Sequence, residues 1–161
     1  MAKRNLYGFG LVGLLTNNLQ GPDFTRMKKS NTYGLTHLAI AVHDVEHTKS
    51  FYQRVFDMEL MYHENGFLQL TTPGCNDILV FEENTGRPIG QTGGIAHIGF
   101  RLKHPDDIGE MEEKIIAAGG VIKGKGDFVP GSPYVFFRDP DGYEIEVWFE
   151  LLNNPSAKNK L

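Results

Sequence analysis

The sequence predicts an α+β fold made of two tandem βαβββ modules whose curved mixed sheets enclose a cavity. One short phrase occurs at residues 34–42 and again, 60 positions later, at residues 94–102. Both copies alternate residue by residue, as a strand with one face in an apolar core does. Each copy is followed by a helical pattern and then by three extended segments. The chain is therefore predicted to be an internal repeat.

In the first module, the alternation assigns three apolar residues to the core face of the first strand: Leu38, Ile40 and Val42. Asp44 can cap the N-terminus of a helix predicted over residues 45–58, where apolar residues recur at helical spacing. Turn-forming residues then separate three predicted strands, at residues 59–63, 67–72 and 77–82.

The second module repeats this pattern, and the core-facing residues of its first strand are Ile98, Phe100 and Leu102. Pro105 opens a helix that is predicted to end at Gly119-Gly120. Three strands are predicted to follow, at residues 121–123, 134–138 and 143–150. A linker at residues 84–93 joins the modules, which are predicted to span residues 34–86 and 94–150.

Three polar side chains share the strand faces that point away from the core. His37 and His97 occupy the same position in the two copies of the phrase, and Glu146 alternates with Ile145 and Val147 on the last strand. One helix layer covers only one face of each sheet, so the other face must be closed by the other module. Two imidazoles and a carboxylate in that cavity form a candidate divalent-metal site, which suits Fe(II), Mn, Ni, Co or Zn.

The composition is that of an ordinary globular protein, and it restricts the partners. Hydrophobic residues make up 40% of the 161 residues, and the formal net charge of −4 gives no reason to expect a nucleic acid. The single cysteine, Cys75, excludes an intramolecular disulfide and agrees with a cytoplasmic location. The apolar run at residues 6–15 is too short to span a bilayer, so no membrane partner is expected. Residues 1–32 are predicted to be a flexible or loosely docked extension of a domain at residues 33–150, and residues 151–161 a polar tail.

The chain resembles the vicinal oxygen chelate superfamily in its tandem modules, in its two matched histidines and in the Asp-Pro-Asp-Gly-x-x-x-Glu motif at residues 139–146. Glyoxalase I, extradiol ring-cleavage dioxygenases, fosfomycin-resistance transferases and bleomycin-binding proteins belong to that superfamily. The resemblance covers about residues 34–150 and implies the glyoxalase/bleomycin resistance/dioxygenase fold. It also implies a divalent metal ion, a small-molecule substrate and a homodimer, with the modules paired either within one chain or between two.

The ligand set indicates a branch of this superfamily. Members differ in a fourth ligand on the last strand of the first module, where alignment of the repeats puts Val80 opposite Glu146; Glu82 could serve only if the register slipped by a pair. Three ligands leave coordination positions free, as in non-haem Fe(II) oxygenases. Extradiol enzymes carry Tyr where this chain has Phe136, and an acid–base histidine that residues 121–133 lack. The sequence favours ring-cleavage-dioxygenase-like Fe(II) chemistry, with a glyoxalase-type lyase or isomerase, or a non-catalytic binding protein, as alternatives.

Four further side chains on these faces are candidates for substrate binding: Arg101, Tyr134, Phe136 and Trp148. Arg101 shares the face of His97 and could hold a substrate carboxylate, or it could form a salt bridge at the strand end. The three aromatic residues could bind a planar or apolar substrate, or they could pack between the two halves. The sequence identifies no catalytic acid or base.

Overall fold

The computed structural model describes Thr32 and residues 35–150. Apart from Thr32, the extension predicted at residues 1–32 lies outside the described residues, and so does the tail predicted at residues 151–161. The interpretations of these two segments therefore stay predictions.

The first half of the described chain folds into one four-stranded mixed sheet packed against a helix. Its elements are β1 (His37–Ala41), α1 (Val45–Phe56), β2 (Glu59–Glu64), β3 (Phe67–Thr71) and β4 (Ile78–Glu82). The strands lie in the order β1-β4-β3-β2, with β1 parallel to β4 and the other neighbours antiparallel.

The second half repeats the same arrangement. Its elements are β5 (Ile98–Arg101), a short 3-10 turn (Pro105–Asp107), α2 (Ile108–Ala117), β6 (Val121–Asp127), β7 (Pro133–Arg138) and β8 (Glu144–Trp148). The strands lie in the order β5-β8-β7-β6, and the only parallel pair is again the first strand with the last. The matching topology of the two sheets confirms the predicted α+β fold of tandem βαβββ modules.

The helices begin close to where the sequence predicts them. Asp44 caps α1, because its Oδ1 accepts hydrogen bonds from the backbone N–H groups of Glu46 and His47 at 2.8 and 2.9 Å. The helix ends at Phe56 rather than at residue 58, because Asp57 adopts the left-handed conformation with a φ of 54°. Helix α1 has 12 residues and α2 has 10, and no helix in the described part of the chain is long and apolar enough to cross a membrane.

The prediction of a strand at residues 121–123 is wrong in length, since β6 continues to Asp127. Glycine is disfavoured in strands, so Gly124 and Gly126 locally favour a break after residue 123. Both glycines are nevertheless paired with residues of β7, after a bulge between Ile122 and Gly124. Pairing with a long neighbouring strand thus overrides the local preference of the sequence.

One hydrophobic core joins the two modules. Phe51 and Phe56 of α1 contact Phe137 of the second sheet, and the Phe56 ring stacks on Phe100 with 3.9 Å between the ring centroids. The core-facing sets predicted for the two first strands all belong to this cluster: Leu38, Ile40, Val42, Ile98, Phe100 and Leu102. Because side chains alternate along a strand, the faces that carry the candidate ligands point away from this core.

Hydrogen bonds between α1 and the turn that joins β7 to β8 fasten the modules together. Asp139 is 4% exposed, and its carboxylate accepts hydrogen bonds from the Tyr52 hydroxyl at 3.0 Å and the Tyr143 N–H at 2.8 Å. Asp141 accepts a hydrogen bond from the Thr48 hydroxyl at 2.9 Å. Burial raises the pKa of the Asp139 carboxyl to about 6, although the hydrogen bonds from Tyr143 and Tyr52 act in the opposite direction. We call these five residues the module latch.

The module latch predicts that stability depends on pH. The pKa of Asp139 is raised from 3.8 to about 6 on folding, so the folded state holds this proton more tightly. The stabilisation from the protonated carboxyl is complete below about pH 4 and is lost as the pH rises through about 6. At about 1.4 kcal/mol per pKa unit, the loss is on the order of 2–3 kcal/mol. The Asp139→Asn variant should lack this dependence, so the wild type should lose stability relative to it between about pH 4 and 7.

The measurement is the free energy of unfolding from urea titrations at several pH values. In the variant, the amide oxygen can accept the hydrogen bond from the Tyr143 N–H, and the amide nitrogen can donate one to the Tyr52 oxygen. The variant is therefore expected to fold. Asp127→Asn changes an exposed carboxylate at the end of β6 and serves as the matched control. A difference between wild type and Asp139→Asn that stayed constant over this pH range would contradict the prediction.

Candidate metal centre

Two of the three predicted ligands lie side by side. His97 lies one residue before β5, Glu146 is the central residue of β8, and 3.1 Å separate His97 Nε2 from Glu146 Oε2. The Glu146 side chain is 9% exposed and the His97 side chain 36%, so the carboxylate is covered while the imidazole can still be reached from solvent. Burial raises the pKa of Glu146, whereas the charge and hydrogen bond of His97 lower it. A cation placed here would compensate the buried negative charge.

The neighbours of this pair differ on its two sides. Phe136 lies opposite Glu146 on β7, and its ring meets the His97 ring edge to face with 5.2 Å between the centroids. On the other side, Gly99 lies opposite Glu146 on β5. A Cβ atom at position 99 would lie 3.6 Å from Glu146 Oε2 and 3.4 Å from Trp148 Nε1. The pair therefore has the ring of Phe136 on one side and, on the other, a glycine against which Glu146 and Trp148 lie closely.

His37, the third predicted ligand, is the exposed first residue of β1. It lines a cleft of about 400 Å³ between the modules together with His97, but Glu146 does not line this cleft. Among the described residues, no group of three or more His, Cys, Asp or Glu side chains is arranged to hold a metal ion. The structure of one chain thus brings His97 and Glu146 together, whereas His37 shares a cleft with His97 but forms no three-residue ligand group with the pair.

The strand register shows which residue occupies the position of a possible fourth ligand. Ala39 of β1 lies opposite Val80, and Gly99 of β5 lies opposite Glu146, so Val80 is the counterpart of Glu146 in the first module. Glu82 lies opposite Ala41, one pair further along, and β1 and β4 pair without a bulge. The register slip that would bring Glu82 to this position is not observed.

Arg101, the predicted anchor for a substrate carboxylate, lies at the exposed C-terminal end of β5. It is opposite Trp148 in the sheet register. It lines a cleft with residues of α1 and α2, which differs from the cleft that His37 and His97 share. The structure therefore does not bring Arg101 and the two histidines into one cleft.

The three predicted aromatic residues, Tyr134, Phe136 and Trp148, are half-buried on the face that carries Glu146. Sequence reasoning missed a fourth, Phe128, whose ring stacks on Tyr134 with 4.2 Å between the centroids and 22° between the planes. The signal was available, because every second residue of β6 and its continuation faces the same way. Ending that strand at residue 123 hid it.

Two curated relatives are each 26% identical to this chain. Lactoylglutathione lyase GLX1 of Arabidopsis thaliana matches over 139 residues, which are 80% of this chain and 48% of the lyase. Metallothiol transferase FosB of Bacillus licheniformis matches over 123 residues, which are 75% of this chain and 78% of the transferase. The chain therefore spans about half the length of the plant lyase.

Solved structures share the fold. Fosfomycin resistance protein FosX from Listeria monocytogenes gives a TM-score of 0.63 at 24% identity, over 75% of this chain and 96% of that chain. A mutant of the same protein, complexed with Mn(II) and 1S,2S-dihydroxypropylphosphonic acid, also gives a TM-score of 0.63, over 75% and 93% of the two chains. At this identity, the likeness concerns the fold alone.

A family model settles the membership. It matches residues 34–147, which is more than half of the chain and includes all the strands of both sheets up to Val147. The family that this match indicates agrees with the topology of the two sheets and with the similarity to the two curated relatives. The chain belongs to the Glyoxalase/Bleomycin resistance protein/Dioxygenase superfamily.

Proposed function

We propose that the protein is a divalent-metal enzyme in which His37, His97 and Glu146 hold the ion. The observation that carries this proposal is the 3.1 Å contact between His97 Nε2 and Glu146 Oε2 on a sheet face outside the core. A second imidazole at the matched position of β1 completes a donor set that suits Fe(II), Mn, Ni, Co or Zn, of which we favour Fe(II). Both curated relatives described above are enzymes by name, a lyase and a transferase.

The third ligand comes from a second copy of the chain. The module latch and the shared core hold the modules in one arrangement, and in that arrangement His37 is apart from Glu146. Moving His37 towards Glu146 within one chain would expose the buried contacts of α1, including the stacked Phe56 and Phe100 rings. A homodimer in which His37 faces His97 and Glu146 of the partner subunit needs no such change. It gives two equivalent metal sites.

The reaction we favour is ring-cleavage-dioxygenase-like chemistry on a small substrate with two neighbouring oxygens. When bound, Fe(II) would act as a Lewis acid and would offer coordination positions for both substrate and O2. Val80 supports this choice, because it is apolar and buried at the position where a fourth ligand would fill a free coordination site. Glu146 and His97 would hold the ion, and the ring of Phe136 covers one side of His97.

A glyoxalase-type lyase or isomerase is the second candidate. The match to lactoylglutathione lyase favours it, and so does Phe136, which has no ionisable group to assist proton transfer from a catechol. In that reaction the ion would be a Lewis acid alone.

The two candidates predict different responses to Val80→Glu. After anaerobic reconstitution with Fe(II), the wild type should consume O2 with members of a catechol panel and leave hemithioacetals unchanged. A glutamate at position 80 would fill a free coordination site, so O2 uptake should fall at least about tenfold and the metal spectrum should change. Val80→Ala is the control for altered packing. Hemithioacetal isomerisation by the wild type without O2 uptake would refute the dioxygenase assignment, and an unchanged spectrum in Val80→Glu would refute the alignment.

Replacing Glu146 should remove metal binding and leave the fold intact. The variant Glu146→Ala loses the only carboxylate of the proposed set, whereas its strand stays anchored by the buried Ile145 and Val147. The metal dissociation constant should rise about 100-fold or more, beyond the effect of losing an outer-shell partner. Elemental analysis of protein purified without a histidine tag measures this, with Glu82→Ala as the matched control. Full metal occupancy in Glu146→Ala would show that this residue is not a ligand.

Mixing two inactive chains tests the pairing across subunits. Chains carrying His37→Ala and chains carrying His97→Ala each lack one ligand in every site. In the proposed dimer, the mixed dimer has one intact site and one site that lacks both histidines. Metal content and activity should therefore return in part after subunit exchange. Light scattering checks the dimer itself, since a mass near the 18.1 kDa of one chain would exclude it. No recovery after verified exchange would place all three ligands in one chain.

A further inference from the structure

The outer face of the second sheet has an ordered cross-strand pattern. One row across the four strands consists of Gly99, Glu146, Phe136 and Gly124, since these residues are opposite one another on β5, β8, β7 and β6. The carboxylate and the aromatic ring thus stand side by side, and a glycine lies at either end of the row. At Gly99 the side chains of Trp148 and Glu146 occupy the space beside the backbone, whereas the space at Gly124 is empty.

The gap on the β6 side is open. A Cβ atom built on Gly124 would meet no heavy atom within 4 Å, although the residue lies directly opposite Phe136 in the sheet. At Gly126, the next outward position, the ring of Tyr134 fills the corresponding space, with its hydroxyl 3.2 Å from the position of a Cβ. The slot above Gly124 therefore has a backbone floor, and the rings of Phe136 and Tyr134 stand on its β7 side.

The side walls form a continuous line of rings that begins at the metal pair. The His97 ring contacts Phe136 with 5.2 Å between centroids, Phe136 contacts Tyr134 at 5.5 Å, and Tyr134 stacks on Phe128 at 4.2 Å. Phe128 is 54% exposed, so this line ends in a large apolar side chain that its own chain does not cover. Exposed aromatic surface of this kind, next to polar groups that converge on one point, is typical of a ligand site.

We infer that this face binds a planar aromatic group of the ligand, which lies over Gly124 and packs against the contacting rings of Phe136 and Tyr134, with Phe128 stacked on the far side of Tyr134. The inference rests on the proposed function only in directing the oxygens of the ligand towards His97 and Glu146. Planar rings gain from edge-to-face and offset-stacked contacts with aromatic walls, whereas saturated rings do not. Gly124 and Phe128 thereby determine specificity, the first by leaving the slot open and the second by extending the wall.

The test uses the full chain without metal and a probe that cannot chelate. The probe is 2-naphthol, and its saturated analogue decahydro-2-naphthol is the comparison. Trp148 is the only tryptophan of the chain, and it lies opposite Tyr134 in the sheet. Its indole N–H signal in a nitrogen–proton NMR spectrum therefore reports binding without further assignment. We expect saturable shifts with 2-naphthol and a dissociation constant at least about threefold higher for the saturated analogue.

Filling the slot should weaken the binding of 2-naphthol. Gly124→Leu should raise the dissociation constant for 2-naphthol about tenfold or more, and Gly124→Ala should have a smaller effect in the same direction. Phe128→Ala should raise it by about twofold to tenfold, and Phe128→Tyr should leave it unchanged. Gly109→Leu is the matched control, because Gly109 is exposed on α2 and its Cβ would also meet no atom within 4 Å.

Three results would overturn the inference. Equal affinity for the two naphthols would exclude an aromatic slot, and unchanged affinity in Gly124→Leu, Gly124→Ala and Phe128→Ala would place the probe elsewhere. Weaker self-association of these variants with unchanged probe binding would show that the face packs against another subunit instead. Because neither probe nor protein carries a metal, failure of the metal proposal would leave these outcomes intact, and failure here would leave the metal proposal intact.

Discussion

The contact of α1 with both sheets determines where chemistry can take place in this molecule. Each sheet has one apolar face, and α1 helps to bury both, through its own β3 and β4 and through Phe137 and Phe100 of the other module. Aromatic pairs add about 0.5–1.5 kcal/mol each beyond simple burial, so the arrangement is costly to disturb. The opposite faces carry the candidate ligands Glu146, His97 and His37, and a ligand site can therefore form there.

Two buried carboxylates, Asp139 and Glu146, show how the neighbours of an acidic side chain decide whether it stabilises the fold or can take part in ligand binding. Asp139 is held by uncharged donors, the Tyr52 hydroxyl and backbone N–H groups, and its raised pKa reflects burial that these bonds only partly offset. Glu146 instead has an imidazole as its neighbour, which can carry a positive charge and which stays accessible from solvent. The first acid fastens two modules, while the second keeps a group beside it that can exchange a proton or share a cation.

The sequence correctly predicted the features that follow from the alternation of side chains along a strand. It did not predict the features that depend on contacts between distant segments of the chain. The faces of Glu146 and of the core residues follow from the period of two in a strand, and the pairing of Val80 with the position of Glu146 follows from the repeat. The module latch was missed, because Tyr52 and Asp139 are 87 positions apart and only the fold unites them. The separation of His37 from its predicted partners has the same origin, since no local pattern encodes how two modules dock.

The two bulges have a consequence for solubility. One outermost strand of each sheet has a bulge, between Leu60 and Tyr62 in β2 and between Ile122 and Gly124 in β6. An unpaired strand edge is a template for uncontrolled stacking of chains, and the hazard is greatest in β2, where Leu60 and Met61 are each 50% exposed. A bulge twists the edge and interrupts its row of free hydrogen-bonding groups. Each module thus carries, at one edge of its sheet, a feature that opposes fibrous aggregation.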